Sequence, residues 1–228
     1  MNLKVTRKTK GWLLLVLAGS FLLGCVSGQG VSRRQTEQVR DIKTVLVLPF
    51  QAATEYYDTG ATVRCFECEY FVQTGTIEAG ADTFMNEALV AFVASQTPYT
   101  PIPFWTARGV TSKMPSQDLR GADRSLLIQM GESLGADAVI SGTIYRFRER
   151  AGTSLSVKTP ASVAFAMELI RVSDGRTLWG RAFDETQRSL DENLLNLGSF
   201  LKRGGEWLTA EELAAAGFKE VMASFPVP

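Results

Sequence analysis

The N-terminal segment decides how much of this 228-residue chain can take part in a fold. A basic stretch containing Lys4, Arg7, Lys8 and Lys10 leads into the apolar residues 12–23. That stretch is twelve residues long, whereas a helix that crosses a membrane needs about twenty. The pattern is typical of a secretion signal, which is removed before the mature protein folds. Residues 1–24 are therefore predicted to be a signal peptide outside the folded domain.

The signal ends in the sequence Leu22-Leu23-Gly24-Cys25. This is the processing signal of bacterial lipoproteins, and it predicts Cys25 as the first mature residue and the site of lipidation by acyl chains such as palmitate. Several acyl chains together hold a membrane firmly, because anchoring strength grows with each buried methylene. Val26 stands where the inner-membrane retention signal of many such lipoproteins has aspartate, which favours a lipid anchor on the periplasmic face of the outer membrane.

Composition limits the roles open to the chain beyond the anchor. Residues 25–41 are mostly polar and are predicted to form an acylated, flexible tether, and residues 42–228 are long enough for one domain. Lysines and arginines number 24, as do aspartates and glutamates. Because the signal carries four of the basic residues and no acidic one, the mature chain is slightly acidic and lacks the charge footprint of a nucleic-acid-binding protein.

The chain has no histidine. Its absence excludes Ser-His-Asp and Cys-His catalysis, and it excludes histidine-ligated zinc and c-type haem. We expect no catalytic residues, no cofactor and no metal site, and we expect the protein not to be an enzyme.

Hydrophobic periodicity predicts a single α/β domain with a mixed sheet and the order β-α-β-α-β-β-β-α-α. A buried strand precedes a long connection without a clear period, and a later run is predicted to form an antiparallel three-stranded meander with a type I′ turn at Asp174-Gly175. Asp82 and Asp123 are expected to cap the first two helices. The predicted strands cover 44–50, 99–105, 138–150, 161–173 and 176–185, the connection covers 51–80, and the last two helices cover 190–201 and about 210–224.

Three short patterns together resemble a group of bacterial envelope proteins. They are Val47-Leu48-Pro49-Phe50, the segment Gly135–Gly142, and Asp174–Trp179. The group includes the curli secretion channel subunit (CsgG), the N-terminal domain of TolB, and lipoprotein activators of penicillin-binding proteins. The resemblance covers roughly residues 44–185. It implies a non-enzymatic protein that works through protein–protein contacts in the periplasm, and it leaves homo-oligomerisation open.

Cys65 and Cys68 form a CxxC pair within the long connection. In an oxidising periplasm the pair is predicted to form a local disulfide. Two alternatives stay open: a redox-active pair, or a metal site in which Glu67 and Glu69 complete the ligands.

Arg146, Arg148 and Arg150 alternate along one predicted strand. Alternation places the three side chains on one face. The simplest interpretation is a solvated edge, and the functional alternative is a surface for a protein partner or an anionic glycan.

Together these patterns predict an outer-membrane lipoprotein whose periplasmic domain is a non-catalytic scaffold, assembly or regulatory component of the cell envelope. The predicted partners are the membrane, through Cys25, and an unidentified periplasmic protein. Segment 51–80, braced by Cys65 and Cys68, is the expected recognition element. The alternatives are a thiol–disulfide or metal-dependent enzyme, and an accessory lipoprotein of a secretion or polysaccharide-export system.

Overall fold

The structure, a computed structural model, describes residues 39–65, 71–106, 124–154, 156–187 and 207–228. Within these ranges the chain forms strands, α-helices and two short 3-10 helices. In chain order the strands and α-helices are β1 (Thr44–Val47), β2 (Gln51–Ala52), β3 (Thr62–Arg64), β4 (Phe71–Gln73), α1 (Ala81–Gln96), β5 (Thr100–Pro103), α2 (Arg124–Ser133), β6 (Ala138–Arg148), β7 (Ala151–Gly152), β8 (Val157–Thr159), β9 (Ser162–Arg171), β10 (Thr177–Thr186) and α3 (Ala210–Met222).

A mixed sheet with the order β10-β9-β6-β1-β5 lies at the centre, and β2 also pairs with β6. Strand β1 runs parallel to both β5 and β6, whereas β9 runs antiparallel to both of its neighbours, β6 and β10. The predicted α/β class, mixed sheet and three-stranded meander are therefore confirmed. The predicted helix 190–201 lies outside the described residues, so the complete predicted order stays a prediction.

Strand β1 is buried on both sides, as its continuous apolar sequence predicts. Val45 and Val47 pack into the larger core cluster on one face of the sheet, and Leu46 and Leu48 pack into a second cluster on the other face. Because alternate side chains of a strand point to opposite faces, four consecutive apolar residues suit a strand that helices cover from both sides.

Helices α1 and α3 cover the face that holds the larger cluster. The predicted capping box of α3 is present, since the Thr209 side chain accepts from Glu212 N and the Glu212 side chain accepts from Thr209 N. The predicted cap of α1 is wrong. Gly80 is the N-cap, with φ of 89°, and Asp82 lies in the first turn, where a carboxylate interacts favourably with the helix dipole. Asp123 lies outside the described residues.

The opposite face has two covers. Helix α2 packs over the cluster around Leu46, Met130 and Val139. Farther along β6, the hairpin β3–β4 and a 3-10 helix (Ala53–Glu55) pack over Tyr145 and its neighbours. Segment 51–80, predicted to be an aperiodic connection, thus contains two antiparallel strands. The sequence does not indicate these two strands, because each has three residues and buries only its central valine.

Three successive segments of the chain form backbone hydrogen bonds with one edge of β6. Strand β1 pairs with residues 138–140, β2 pairs with residues 143–144, and the chain after the hairpin bonds to the end of the strand. There Gly75 N donates to Tyr145 O at 2.9 Å, and Phe147 N donates to Thr76 O at 2.8 Å. The chain therefore leaves the β6 edge before the hairpin and returns to it afterwards, so hydrogen bonds to β6 hold the segments on both sides of the hairpin.

Two residues of the patterns that carried the envelope-protein resemblance meet in space. An added Cβ at Gly142 would overlap the ring of Phe50, which also makes an edge-to-face contact with Phe165 at 6.5 Å between ring centroids. Asn86 Oδ1 of α1 accepts from Phe50 N at 2.8 Å. Only glycine allows the Phe50 ring to lie against the β6 backbone at this position.

The start of the packed domain and the turn after β9 both differ from the predictions. Val39, assigned to the tether from sequence, is fully buried and packs in the larger core cluster, so the packed part of the chain includes it. The turn after β9 is not a two-residue type I′ turn, because Arg171 N donates to Arg176 O and encloses four residues. Asp174 supports this longer loop by accepting from Arg176 N at 3.1 Å. Among the described residues, no helix is both long and apolar enough to span a membrane.

Candidate functional site

The predicted site residues are only partly within the described structure. Cys25 and Cys68 lie outside the described residues, so lipidation and the Cys65–Cys68 disulfide stay predictions. Cys65, Arg146, Arg148 and Arg150 are described, and they lie at the end of β6 that the hairpin covers. The candidate site is therefore this end of the sheet together with the hairpin.

A β-bulge between Ile144 and Arg146 sets the direction of the arginine side chains. Ile144 packs in the larger cluster and Tyr145 packs beneath the hairpin. Phe147 returns to the larger cluster, so Tyr145 and Arg146 share the hairpin side. Strict alternation from Ile144 would have directed Arg146 into the larger cluster. The extra residue of the bulge avoids burying a charge there.

Arg146 is buried, with 9% of its surface exposed, and its guanidinium joins three strands. Its Nη1 donates to Gln73 O of β4 at 2.7 Å, and its Nε donates to Ser162 Oγ of β9 at 2.5 Å. Nη2 forms an ion pair with Asp184 of β10. The Ser162 hydroxyl also lies 2.5 Å from the hydroxyl oxygen of Thr186. A buried cation is tolerated when it is paired and hydrogen-bonded in this way.

The hairpin packs closely on the Arg146 stem. A Cβ added at Gly75 would lie 2.6 Å from Arg146 Cγ and 2.7 Å from its Cδ. Together with the bond to Gln73 O, this contact makes Arg146 a structural tie between the central sheet and the hairpin. The interpretation of Arg146 as part of a solvated or partner-facing basic surface is wrong, because the hairpin covers it.

The other two arginines do not share this environment. Arg148 Nη2 donates to Pro160 O at 3.3 Å. Arg150 N donates to Glu149 Oε1 at 2.9 Å, while the second oxygen of Glu149 accepts from Ala210 N at the start of α3. The three arginines therefore do not make one basic face, although Arg148 and Arg150 remain partly exposed.

Cys65 directly follows β3 and lies in a fully packed environment. It is 1% exposed and lies in the cluster with Val63, Val72 and Tyr145. A redox-active cysteine needs an accessible thiolate, so burial favours a structural role for Cys65. Among the described residues, no group of three or more cysteine, aspartate or glutamate side chains is placed to hold a metal ion.

Sequence analysis missed the role of Asp137. Its Oδ2 accepts from Lys43 N at 2.8 Å, from Thr44 N at 2.9 Å and from the Thr44 hydroxyl at 3.0 Å. Burial raises the pKa of Asp137, but the Thr44 and Lys43 hydrogen bonds and the Lys43 charge outweigh it and hold this pKa below its ordinary value. The aspartate ties the start of β1 to the start of β6, across 93 residues of chain.

The outer face of the hairpin is the most distinctive described surface. It presents Thr62, Arg64, Phe71 and Gln73, which form the cross-strand pairs Thr62–Gln73 and Arg64–Phe71. Phe71 has 69% of its surface exposed, although it sits in a strand whose next residue, Val72, is buried. We call these four residues the hairpin face. Sequence alone gives no sign of it, because the strand was not predicted.

Comparisons with known proteins give distant structural likenesses. No family model and no curated protein matches the chain. A PelC dodecamer from Paraburkholderia phytofirmans is 13% identical, with a TM-score of 0.47, and the match covers 82% of this chain and 89% of that one. Lipoprotein GNA1162 from Neisseria meningitidis is 16% identical, with a TM-score of 0.44 and coverage of 71% and 94%. The LpoB C-terminal domain from Salmonella enterica is 14% identical, with a TM-score of 0.40 and coverage of 68% and 95%.

One of these three structures, GNA1162, is itself a lipoprotein, and none of the three is CsgG or TolB. At such identities and TM-scores the likenesses establish no kinship.

Proposed function

We propose that this protein is an outer-membrane lipoprotein whose periplasmic α/β domain acts as a non-catalytic scaffold, assembly or regulatory component of the envelope. The observation that carries the proposal is Leu22-Leu23-Gly24-Cys25 placed directly after a basic and then an apolar segment. Acylated Cys25 anchors the domain, and Val26 favours the outer membrane over the inner one.

The described contacts support a binding role for the domain. The charged group of Arg146 is engaged by Gln73, Ser162 and Asp184, and Cys65 is enclosed by apolar side chains. Arg146 and Cys65 are therefore assigned structural roles within the domain. Phe71, by contrast, is held on the surface by a strand, and exposed aromatic residues are common anchors at protein interfaces. The hairpin face is therefore the proposed recognition element for a periplasmic protein.

The anchor is tested by replacing Cys25 with alanine. Cells labelled with radioactive palmitate should incorporate label into the wild-type chain and none into Cys25→Ala. The outer-membrane fraction should likewise lose the variant. Cys68→Ser is the matched control, because it removes a thiol and should leave the label in place. Label on Cys25→Ala, or wild-type chain in the inner-membrane fraction, would contradict the proposal.

The recognition element is tested with Phe71→Ala. This variant should weaken cross-linking of the protein to its periplasmic partner in living cells and leave the melting temperature unchanged, because the side chain is mostly exposed. Trp105→Ala is the control, since Trp105 is also an exposed aromatic, at 46%, and follows β5. Equal cross-linking by wild type and Phe71→Ala would place the partner elsewhere on the domain.

The thiol enzyme is a less favoured candidate, because Cys65 is 1% exposed. The doubly substituted variant Cys65→Ser, Cys68→Ser separates the two ideas. A structural disulfide predicts a lower melting temperature with membrane anchoring retained. Wild-type stability together with the loss of a thiol–disulfide exchange activity would favour the enzyme.

A further inference from the structure

A short segment after α3 is held by side chains from three separate parts of the chain. Helix α3 ends at Met222, and Phe225 N donates to Met222 O at 3.0 Å. This bond turns the chain back toward the domain, where Phe225 is buried, whereas Val227 is 42% exposed. We call residues 224–226 the strap.

Three aromatic side chains surround the ring of Phe225. Its centroid lies 5.9 Å from that of Phe92 in α1, 6.2 Å from that of Tyr99 before β5, and 5.0 Å from that of Trp179 in β10. Each of these pairs meets edge to face, an arrangement that aromatic rings favour. Tyr99 and Trp179 are themselves buried. We call the space between these three rings the aromatic pocket.

The aromatic pocket also binds polar atoms of the strap. The Tyr99 hydroxyl donates to Pro226 O at 2.9 Å, and Trp179 Nε1 donates to Ser224 Oγ at 3.1 Å. Binding pockets combine an apolar lining with a few placed polar groups in this way. Because both donors are directed at one segment of three residues, the pocket contacts the hydroxyl, the aromatic ring and the proline carbonyl of the strap.

Few interactions have to break for the strap to leave the aromatic pocket. Within the described part of the chain, the N–H groups of Ser224 and Phe225 bond to carbonyls of α3, and the strap pairs with no strand. Its release therefore breaks the two side-chain hydrogen bonds and the ring contacts, and it leaves the ladders of the central sheet intact. Segments with few backbone bonds to the rest of a fold open at a lower free energy than core strands.

We propose that the aromatic pocket is a peptide-binding site that the strap occupies as an intramolecular ligand. Its ligand class is a segment of another protein with a hydroxyl residue, an aromatic residue and proline in succession, as in residues 224–226. Because only molecules with a released strap can bind such a segment, the strap raises the apparent dissociation constant of the pocket. The pocket lies in the larger core cluster, so this inference depends neither on the hairpin face nor on Cys25.

The probe is a fluorescently labelled peptide Ala-Ser-Phe-Pro-Val-Pro, the sequence of residues 223–228, and its binding to the full chain in detergent is followed by fluorescence anisotropy. The Phe225→Ala chain should bind the peptide, and wild type should bind it at least about tenfold more weakly, because its strap competes. In the peptide, Ser224→Ala removes the acceptor of Trp179 Nε1 and should weaken binding about fivefold. The matched control is Val227→Ala in the peptide, which should bind unchanged because Val227 is exposed.

Hydrogen exchange of the wild-type chain measures strap release without a substitution. The Phe225 amide and the Trp179 indole N–H should exchange at least about tenfold faster than the amides of β9, because strap release exposes them while the sheet stays folded. Phe225→Leu keeps an apolar side chain, and it replaces Phe225→Ala in the binding assay if the alanine variant does not fold. The proposal is overturned if the folded variant binds no peptide at about 1 mM, if wild type binds as tightly, if Ser224→Ala in the peptide changes nothing, or if both N–H groups exchange only as slowly as β9.

Discussion

Removing the Asp184 carboxylate should destabilise the protein more than removing the arginine that it pairs with. The side chain of Arg146 is 10% exposed and that of Asp184 is 31% exposed. Asp184→Ala leaves a buried guanidinium that keeps its bonds to Gln73 O and Ser162 Oγ but loses its counter-charge. Breaking a buried pair from one side costs about 3–5 kcal/mol. Water can reach the Asp184 position, so we expect a loss of about 2–3 kcal/mol in the free energy of unfolding.

Arg146→Met removes the buried charge itself. The remaining carboxylate of Asp184 can turn to solvent, and the methionine stem can occupy part of the space beside Gly75. The expected loss is about 1–2 kcal/mol, mainly from the orphaned Gln73 carbonyl, because the Ser162 hydroxyl keeps its contact with the Thr186 hydroxyl. In the double variant, Asp184→Ala should add little to Arg146→Met, so the two substitutions should be strongly non-additive.

The assay is urea unfolding followed by circular dichroism. Wild type, the two single variants and the double variant are compared with one common slope of the unfolding free energy against urea concentration. Glu220→Ala is the control, because Glu220 is an exposed acidic residue on α3 and its removal should change the free energy of unfolding by less than about 0.5 kcal/mol. If Asp184→Ala costs no more than Arg146→Met, or if the two losses simply add, Arg146 is not held by this network in the manner described.

Three further predictions concern stability. Asp137 has a pKa held below its ordinary value, so its stabilising contribution is present above about pH 4 and is lost as the pH falls through its folded-state pKa. In Asp137→Asn the free energy of unfolding should fall less steeply as the pH is lowered below about 4. An equally steep fall in the variant and in wild type would contradict this role. Gly142→Ala should cost about 1–3 kcal/mol, because its Cβ would overlap the Phe50 ring. Phe50→Leu in the same chain should reduce that cost, and a full cost in both backgrounds would refute the contact. Burial raises the pKa of Tyr99 to about 12, and its hydroxyl donates to Pro226 O at 2.9 Å. The contribution of Tyr99 is complete below about pH 10 and is lost as the pH rises toward 12, so Tyr99→Phe should remove that alkaline loss in a pH series of thermal melts.

Features set by neighbouring residues could be predicted from the sequence. The capping box at Thr209 and Glu212 needs only residues three apart. The left-handed Gly135, with φ of 67°, ends a helix as glycine commonly does. Long strands in the meander are indicated by their β-branched and aromatic content. These signals are local, and the structure contains them where the sequence indicates.

The candidate site was less accessible to prediction. Segment 51–80 has no long period, because it folds as short strands whose apolar residues are single valines. The stabilisation of this segment comes from covering Tyr145 and Ala164 on the distant sheet. No spacing within the segment itself could indicate that surface.

Local sequence was sufficient for the predicted lipid anchor at Cys25, the exclusion of histidine chemistry, the α/β class and the meander, because each depends on composition or on residues close together in the chain. The environment of Arg146, in contrast, emerges only in the folded chain. Its alternation with Arg148 and Arg150 indicates a basic face, but a bulge and a covering hairpin turn it into a buried tie between strands. The physical reason is that the direction of a charged side chain depends on which distant groups can satisfy it. For Arg146 those groups are Gln73, Ser162 and Asp184, on three other strands.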